Sequence, residues 1–162
     1  MKRNDKKWTL YYGISLYVIM EKIGNLFNSE CDWLVNTVNC VGVMGKGIAL
    51  EFKKRYPAMF EDYKNICRRG LLRPGKLWVW RSEDKNILCF PKDHWRYPSK
   101  EEWIEQGLIK FLDNYKRLEI KTIAFPLLGC NNGGLSESII LPMMNYYLGK
   151  AEGLEYEIWK MQ

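Results

Sequence analysis

The order of elements along the chain predicts a three-layer α/β/α domain on a central, mixed and mostly parallel sheet. Three observations predict it. Short apolar, β-branched runs alternate with segments of helical period, the pattern of βαβ units. Two of those runs, Trp33 to Val38 and Thr122 to Phe125, pass directly into glycine-rich loops that open helices. The 162 residues are 47% apolar, with seven Trp and ten Tyr, enough for one packed core, so residues 1–162 read as a single domain.

Each element follows from local chemistry. Residues 1–15 read as an N-terminal extension or an edge strand, since Trp8-Thr9-Leu10-Tyr11-Tyr12 is a β-prone run punctuated by Gly13. Leu16 to Ile23 alternates loosely, reads as a strand and ends at Gly24-Asn25-Leu26. Trp33 to Val38 is a buried strand. Gly47 to about Tyr56 is an amphipathic helix, and Pro57 separates it from a second, Met59 to Arg69, that ends before Gly70. Arg73-Pro74-Gly75 is a turn. Lys76 to Trp80 and Asn86 to Phe90 are neighbouring strands joined by the polar run 81–85. Ser99 suits an N-cap, with Glu101 and Glu102 in the favourable first turn. Trp103, Ile104, Leu108, Phe111 and Leu112 then mark one face of a helix reaching about Tyr115. Thr122 to Phe125 is a short buried strand, Ser136 caps the last helix at about 137–148, and Tyr156 to Trp159 is the final strand.

Composition narrows the function classes. No apolar run approaches the roughly 20 residues of a membrane span. The basic start, Met1 to Lys7, is followed by no long apolar stretch, which argues against a secretory signal. The five cysteines (31, 40, 67, 89 and 130) are odd in number, form no CxxC, and accompany a single histidine. A disulfide framework and a zinc site are therefore poor readings, and a reduced, cytoplasmic home with no metal and no cofactor is expected. The net charge is +6, much of it at 1–7, 53–55 and 68–73. That scatter does not describe a DNA-reading helix; it suits either plain solubility or a polyanionic partner.

The chemistry concentrates in two loops and one lysine. Strand, glycine loop and helix together offer an anion bare N–H groups and the positive end of a helix. The first loop, Asn39 to Ile48, fits this plan without matching GxGxxG or GxxxxGK[ST]. Asn36 and Asn39 sit at the strand's C-terminal end, where α/β proteins bind ligands, and their amides suit ribose hydroxyls. Leu128-Gly129-Cys130-Asn131-Asn132-Gly133-Gly134-Leu135 repeats the design, so two loops at one sheet edge could grip a diphosphate. Lys92 follows an apolar strand and a proline. A lysine facing a closed pocket loses proton affinity by desolvation and becomes a base or an amine nucleophile, whereas a solvated loop lysine does neither. Lys46 touches a phosphate or points into water. Cys130 has no base beside it and reads as a small loop residue rather than a nucleophile. Trp95, Arg96 and Tyr97 offer planar groups that stack on an unpaired base or form a lid over the pocket, and His94 reads as a general acid, a base-stacking group or a packed loop residue.

Three segments carry a resemblance. Asn36 to Leu50, Phe90-Pro91-Lys92-Asp93-His94-Trp95-Arg96 and Pro126 to Leu135 resemble, in order, the first ligand loop, the Phe-Pro-Thr-Lys-x-His-Trp-Arg segment and the second phosphate loop of macrodomains. The likeness is closest to the DarG branch, antitoxin macrodomains that remove ADP-ribose from DNA, and runs from about Tyr17 to the C-terminus. The family's Thr before the lysine is missing here, and Asn25 stands where macrodomains usually carry an Asp that accepts from the adenine amino group. The resemblance implies an ADP-ribose pocket. Asn25 and Leu26 would lie at the adenine and Asn39 at the distal ribose. Gly42, Val43, Met44, Gly45, Lys46, Gly47 and Ile48 would face the phosphates from one side, and Leu128, Gly129, Cys130, Asn131, Asn132, Gly133 and Gly134 from the other. It implies that Lys92 acts at ribose C1″, that His94, Trp95 and Arg96 contact single-stranded DNA, and that the cognate partner is a DNA ADP-ribosyltransferase toxin. The function expected is metal-independent removal of ADP-ribose from DNA bases. An ADP-ribose-1″-phosphate phosphatase and a non-catalytic ADP-ribose reader are the alternatives.

Overall fold

The computed structural model describes residues 21–92, 98–130 and 134–161. Within them the chain runs β1 (Glu21–Ile23), β2 (Trp33–Val38), α1 (Gly47–Arg55), α2 (Pro57–Arg68), β3 (Trp78–Trp80), β4 (Asn86–Pro91), α3 (Glu101–Asn114), β5 (Thr122–Pro126), α4 (Glu137–Leu148) and β6 (Glu155–Lys160). The edge strand expected within 1–15, the start of the strand at Leu16, the residues His94, Trp95 and Arg96, and the loop residues Asn131, Asn132 and Gly133 lie outside the described residues.

The strands join in the order β1-β6-β5-β2-β4-β3. Only the β3–β4 pair is antiparallel among those described, so the sheet is mixed and mostly parallel. Strand alternation divides the core in two. Trp33, Val35, Leu88, Phe90, Ile123, Phe125 and Ile158 pack with Ile104, Leu108 and Phe111 of α3 and with Ile140, Met143 and Met144 of α4. Leu34, Val38, Ile87, Cys89 and Ala124 pack with Phe52 of α1 and with Met59, Phe60 and Tyr63 of α2. Both faces of the sheet are thus covered, which is why its central strands read as nearly continuous apolar runs.

Three helix starts differ from expectation. Lys100, not Ser99, holds the extended N-cap position of α3. Ser99 is buried one residue earlier, and its Oγ has no hydrogen-bond partner among the described residues. Ser136 does occupy the N-cap position of α4, but its Oγ lies 2.7 Å from Ser138 Oγ and makes no capping bond. α2 begins at Pro57 rather than Met59, because proline is suited to the first turn, where its missing N–H would be unpaired anyway.

Candidate functional site

β2 is the switch point of the sheet. The chain leaves β2 through α1 and α2 to β3 and β4 on one side, then returns through α3 to β5 on the other. Such a point places loops from diverging connections at one edge, around a crevice. β2 pairs with β4 along its whole length, from Trp33 with Asn86 to Val38 with Pro91. With β5 the ladder joins only Trp33 and Leu34 to Ile123 and Ala124. The loops that follow β2, β4 and β5 therefore share one edge, and the β2 and β5 ends carry the two glycine loops. The pair of loops expected to share a ligand does sit on one side of the molecule.

The first loop is held from within. Asn39 is buried; its Nδ2 donates to Val43 O at 2.7 Å, and its Oδ1 accepts from the N–H groups of Val41 and Val43 at 3.1 and 3.2 Å. The hydroxyl of Tyr63, on α2, lies 2.7 Å from both Asn39 O and Asn39 Oδ1 and donates to that pair. Asn39 thus shapes the loop, and its carbonyl oxygen is not open to a ribose as the sequence suggested. Asn36 is fully buried on the α1/α2 face, where its Nδ2 contacts Met44 Sδ at 3.8 Å. Strand alternation turns it under the loop, so the expectation that it meets ribose hydroxyls does not hold. Met44 is buried as well, leaving its backbone as the part that can face a ligand.

The exposed part of this loop is Val41, Val43 and 45–47. Gly42 has φ +88, a left-handed conformation that suits glycine, and a Cβ there would meet Cys67 Cβ and Lys64 Cα at 3.7 and 3.8 Å. Lys46 is the N-cap of α1 but makes no side-chain capping bond, so the first N–H groups of the helix are not spent on it. α2, α3 and α4 also start without a side-chain cap; the glycine loop is what gives this one meaning.

The second loop is closed by the Leu135 N–H donating to Gly129 O at 2.9 Å. Gly129 has φ +72, and a Cβ there would approach Leu135 Cδ1 to 2.8 Å and Ser99 Cβ to 3.3 Å. No other residue fits without moving both neighbours. Leu128 is buried beneath the loop, and Gly134 is exposed with φ +74. Burial, with Glu137 adding, pushes the Cys130 thiol up to about 11. It stays protonated, which agrees with its reading as a loop residue.

Lys92 sits where β4 ends. Its N–H donates to Val38 O at 2.7 Å, and its carbonyl accepts from Cys40 Sγ at 3.1 Å. The backbone of Lys92 is thereby pinned to the first loop from both sides. Its side chain is half-buried. Burial first, and then repulsion from Lys46, hold its ammonium below the ordinary lysine range. Two lysines beside one crevice is an arrangement for anions, with one amine readier to lose its proton.

At the β1 end, Asn25 Oδ1 accepts from Phe27 N–H at 3.0 Å and caps the short turn Leu26–Asn28. Asn25 thus acts as a turn former, and an adenine amino group would have to use the second lone pair of the same oxygen. Leu26 is buried, so only its backbone can face a ligand. Among the described residues no group of three or more His, Cys, Asp or Glu is placed to hold a metal ion, and no helix is long and apolar enough to cross a membrane.

Tyr63 and Cys40 are the parts that sequence reading missed. A tyrosine on the buried face of a helix must find a partner for its hydroxyl; that rule marks Tyr63 but does not say that the partner is the first glycine loop.

Comparison with known proteins agrees with this geometry. A family model described as Macro domain matches residues 35–144. The chain is 50% identical over 117 residues to a DNA ADP-ribosyl glycohydrolase of Mycobacterium tuberculosis, covering 69% of this chain and 33% of that protein. Among solved structures it resembles the macrodomain of Mycobacterium tuberculosis DarG, with a TM-score of 0.82 and 41% identity over 86% of this chain and 97% of that one. It also resembles Thermosipho africanus DarTG in complex with ADP-ribose, with a TM-score of 0.80 and 34% identity over 86% and 41% of the two chains. The chain spans about a third of the length of the curated relatives it matches.

Proposed function

The chain belongs to the macrodomain family, and on that premise we propose that it is an ADP-ribosyl glycohydrolase that removes ADP-ribose from DNA bases. The observation that carries this reading is Lys92, a half-buried amine with depressed proton affinity, its backbone fixed beside a loop built for an anion.

The pyrophosphate lies between the two glycine loops and takes N–H groups from 42–48 on one side and from the described part of the second loop, Gly129, Cys130 and Gly134, on the other. The adenosine end extends toward Asn25 and Leu26, across β6 and β1. The distal ribose lies over the first loop, with C1″ toward Lys92. Neutral Lys92 then either takes the proton of an attacking water or attacks C1″ itself, in which case water hydrolyses the Lys92–C1″ bond once the base has left and frees both ADP-ribose and the amine. The bond from C1″ to the base breaks, and the base leaves with a proton returned to it. Fixed N–H groups lower the barrier by holding the sugar in position. From sequence alone, His94, Trp95 and Arg96, which begin two residues after Lys92, offer planar groups for the base from which the sugar departs. In chemical terms the enzyme that supplies this substrate is a DNA ADP-ribosyltransferase, and that is the partner whose product this chain consumes.

The test is incubation with ADP-ribosylated single-stranded DNA. ADP-ribose is released by the native chain and not by Lys92→Ala, while calorimetry gives both the same ADP-ribose affinity within a few-fold. Binding without release would make the chain a reader. Phosphate release from ADP-ribose-1″-phosphate with no action on DNA would make it a phosphatase.

A further inference from the structure

A groove of about 450 Å³ lies outside the crevice, between the 73–76 turn and α3, lined by Arg73, Pro74, Gly75, Lys76, Gln106 and Lys110. Three of those side chains are cationic and none is acidic. Glu102 and Asp113 lie about a turn further along α3 in either direction and are not part of the lining.

The groove is built rather than incidental. Lys76 N–H donates to Arg73 O at 3.0 Å, Pro74 sits at the second position and Gly75 has φ +81 at the third, which is a type II turn. Such a turn brings its first and fourth residues, the two cations, side by side. A Cβ at Gly75 would meet Gln106 Oε1 at 3.3 Å, so glycine lets the turn close on the helix. Gln106 and Lys110 are one helical turn apart and share a face. All four polar side chains are exposed.

Its position ties it to the catalytic edge. β3 runs antiparallel to β4, with Trp78 opposite Cys89. Lys76 lies two residues before Trp78 and Lys92 three residues after Cys89, so both fall at the same end of that ladder. A row of cations with an amide donor beside it suits phosphates and sugars.

Resting on the nucleic-acid reading above, we propose that this groove carries the sugar-phosphate backbone of the single strand whose modified base enters the crevice. Arg73, Lys76 and Lys110 contact successive phosphates, and Gln106 adds an uncharged donor. The contacts read no sequence; they set how the strand approaches Lys92.

The test is titration of an unmodified, labelled single-stranded oligonucleotide across a range of salt. Arg73→Gln/Lys76→Gln on the turn and Lys110→Glu on the helix change opposite walls, so a folding defect in one does not remove the test. Each is expected to bind about tenfold more weakly at low salt, with a salt slope shallower by about 0.7 for each phosphate that is no longer neutralised. Lys121→Glu, before β5 at the opposite edge, is expected to change neither. On ADP-ribosylated oligonucleotides the groove variants raise KM and leave kcat unchanged; on an ADP-ribosylated mononucleotide they behave as the native chain. Native affinity and slope in both groove variants would overturn the groove while leaving the glycohydrolase reading intact. Failure of the native chain to release ADP-ribose from DNA would overturn that reading, and the oligonucleotide titration would still decide the groove.

Discussion

Lys92 owes its readiness to lose a proton to two causes, its partial burial after β4 and the Lys46 ammonium. Both act in one direction, so the neutral amine is populated at a lower pH than in a free lysine. Turnover should therefore rise as pH rises, with an inflection below the ordinary lysine value of about 10.4. Replacing Lys46 with Met removes one of the two causes and should move that inflection of kcat upward; an inflection that stays in place would deny Lys46 the role. Tyr63 acts one step further from the ligand. Tyr63→Phe takes a hydroxyl from the two Asn39 oxygens, 2.7 Å from each, in a buried place. A loss of about 1–2 kcal/mol in urea denaturation is expected, with a several-fold loss of ADP-ribose affinity because the loop is no longer held. Native affinity would mean that the bonds within the loop suffice. At this scale the sequence is half legible. Lys92 and the glycines stand out because their chemistry is local. Asn36 misleads because strand phase, not residue type, decides which way it points, and Tyr63 escapes notice because its partner lies 24 residues away.

Elements are easier to read than residues, since periodicity and turn chemistry act over short spans. The strand at 33–38 and the helix at 137–148 lie where the pattern places them. What the pattern cannot convey is how closely two elements approach. Gly107 lies inside α3, where helix propensity alone favours alanine by about 1 kcal/mol. A Cβ there would stand 2.1 Å from the Cζ of Phe90, a buried ring on β4. Overpacking of that kind costs about 1–3 kcal/mol and outweighs the propensity gain. Gly107→Ala is expected to lower stability in chemical denaturation. Because Phe90 is two residues from Lys92, it should also lower kcat more than ADP-ribose affinity. Increased stability would show that the ring has room to move.

At the scale of the whole molecule, the two glycine loops belong to opposite halves of the core. The first leads into α1, which packs on the face shared with α2; the second leads into α4, which packs on the face shared with α3. Between them the β2–β5 ladder stops after two residue pairs, so few backbone bonds couple the two loops across the sheet. A diphosphate that takes N–H groups from both would supply that coupling itself. Hydrogen exchange is the measurement that sees it. ADP-ribose should slow exchange at the start of α1 and at the start of α4 together. Adenosine and ribose-5-phosphate, each lacking the pyrophosphate, should slow neither to the same degree. Binding to the native state alone raises stability by RT ln(1 + [L]/Kd), about 2.7 kcal/mol at a hundredfold excess over Kd. Protection that rises uniformly to that limit would report only this mass-action gain. Protection that appears first at the two helix starts, in subglobal openings well below the global limit, would report the bridge. Protection at one loop without the other would mean that a single loop binds the phosphates and that the second serves only the fold.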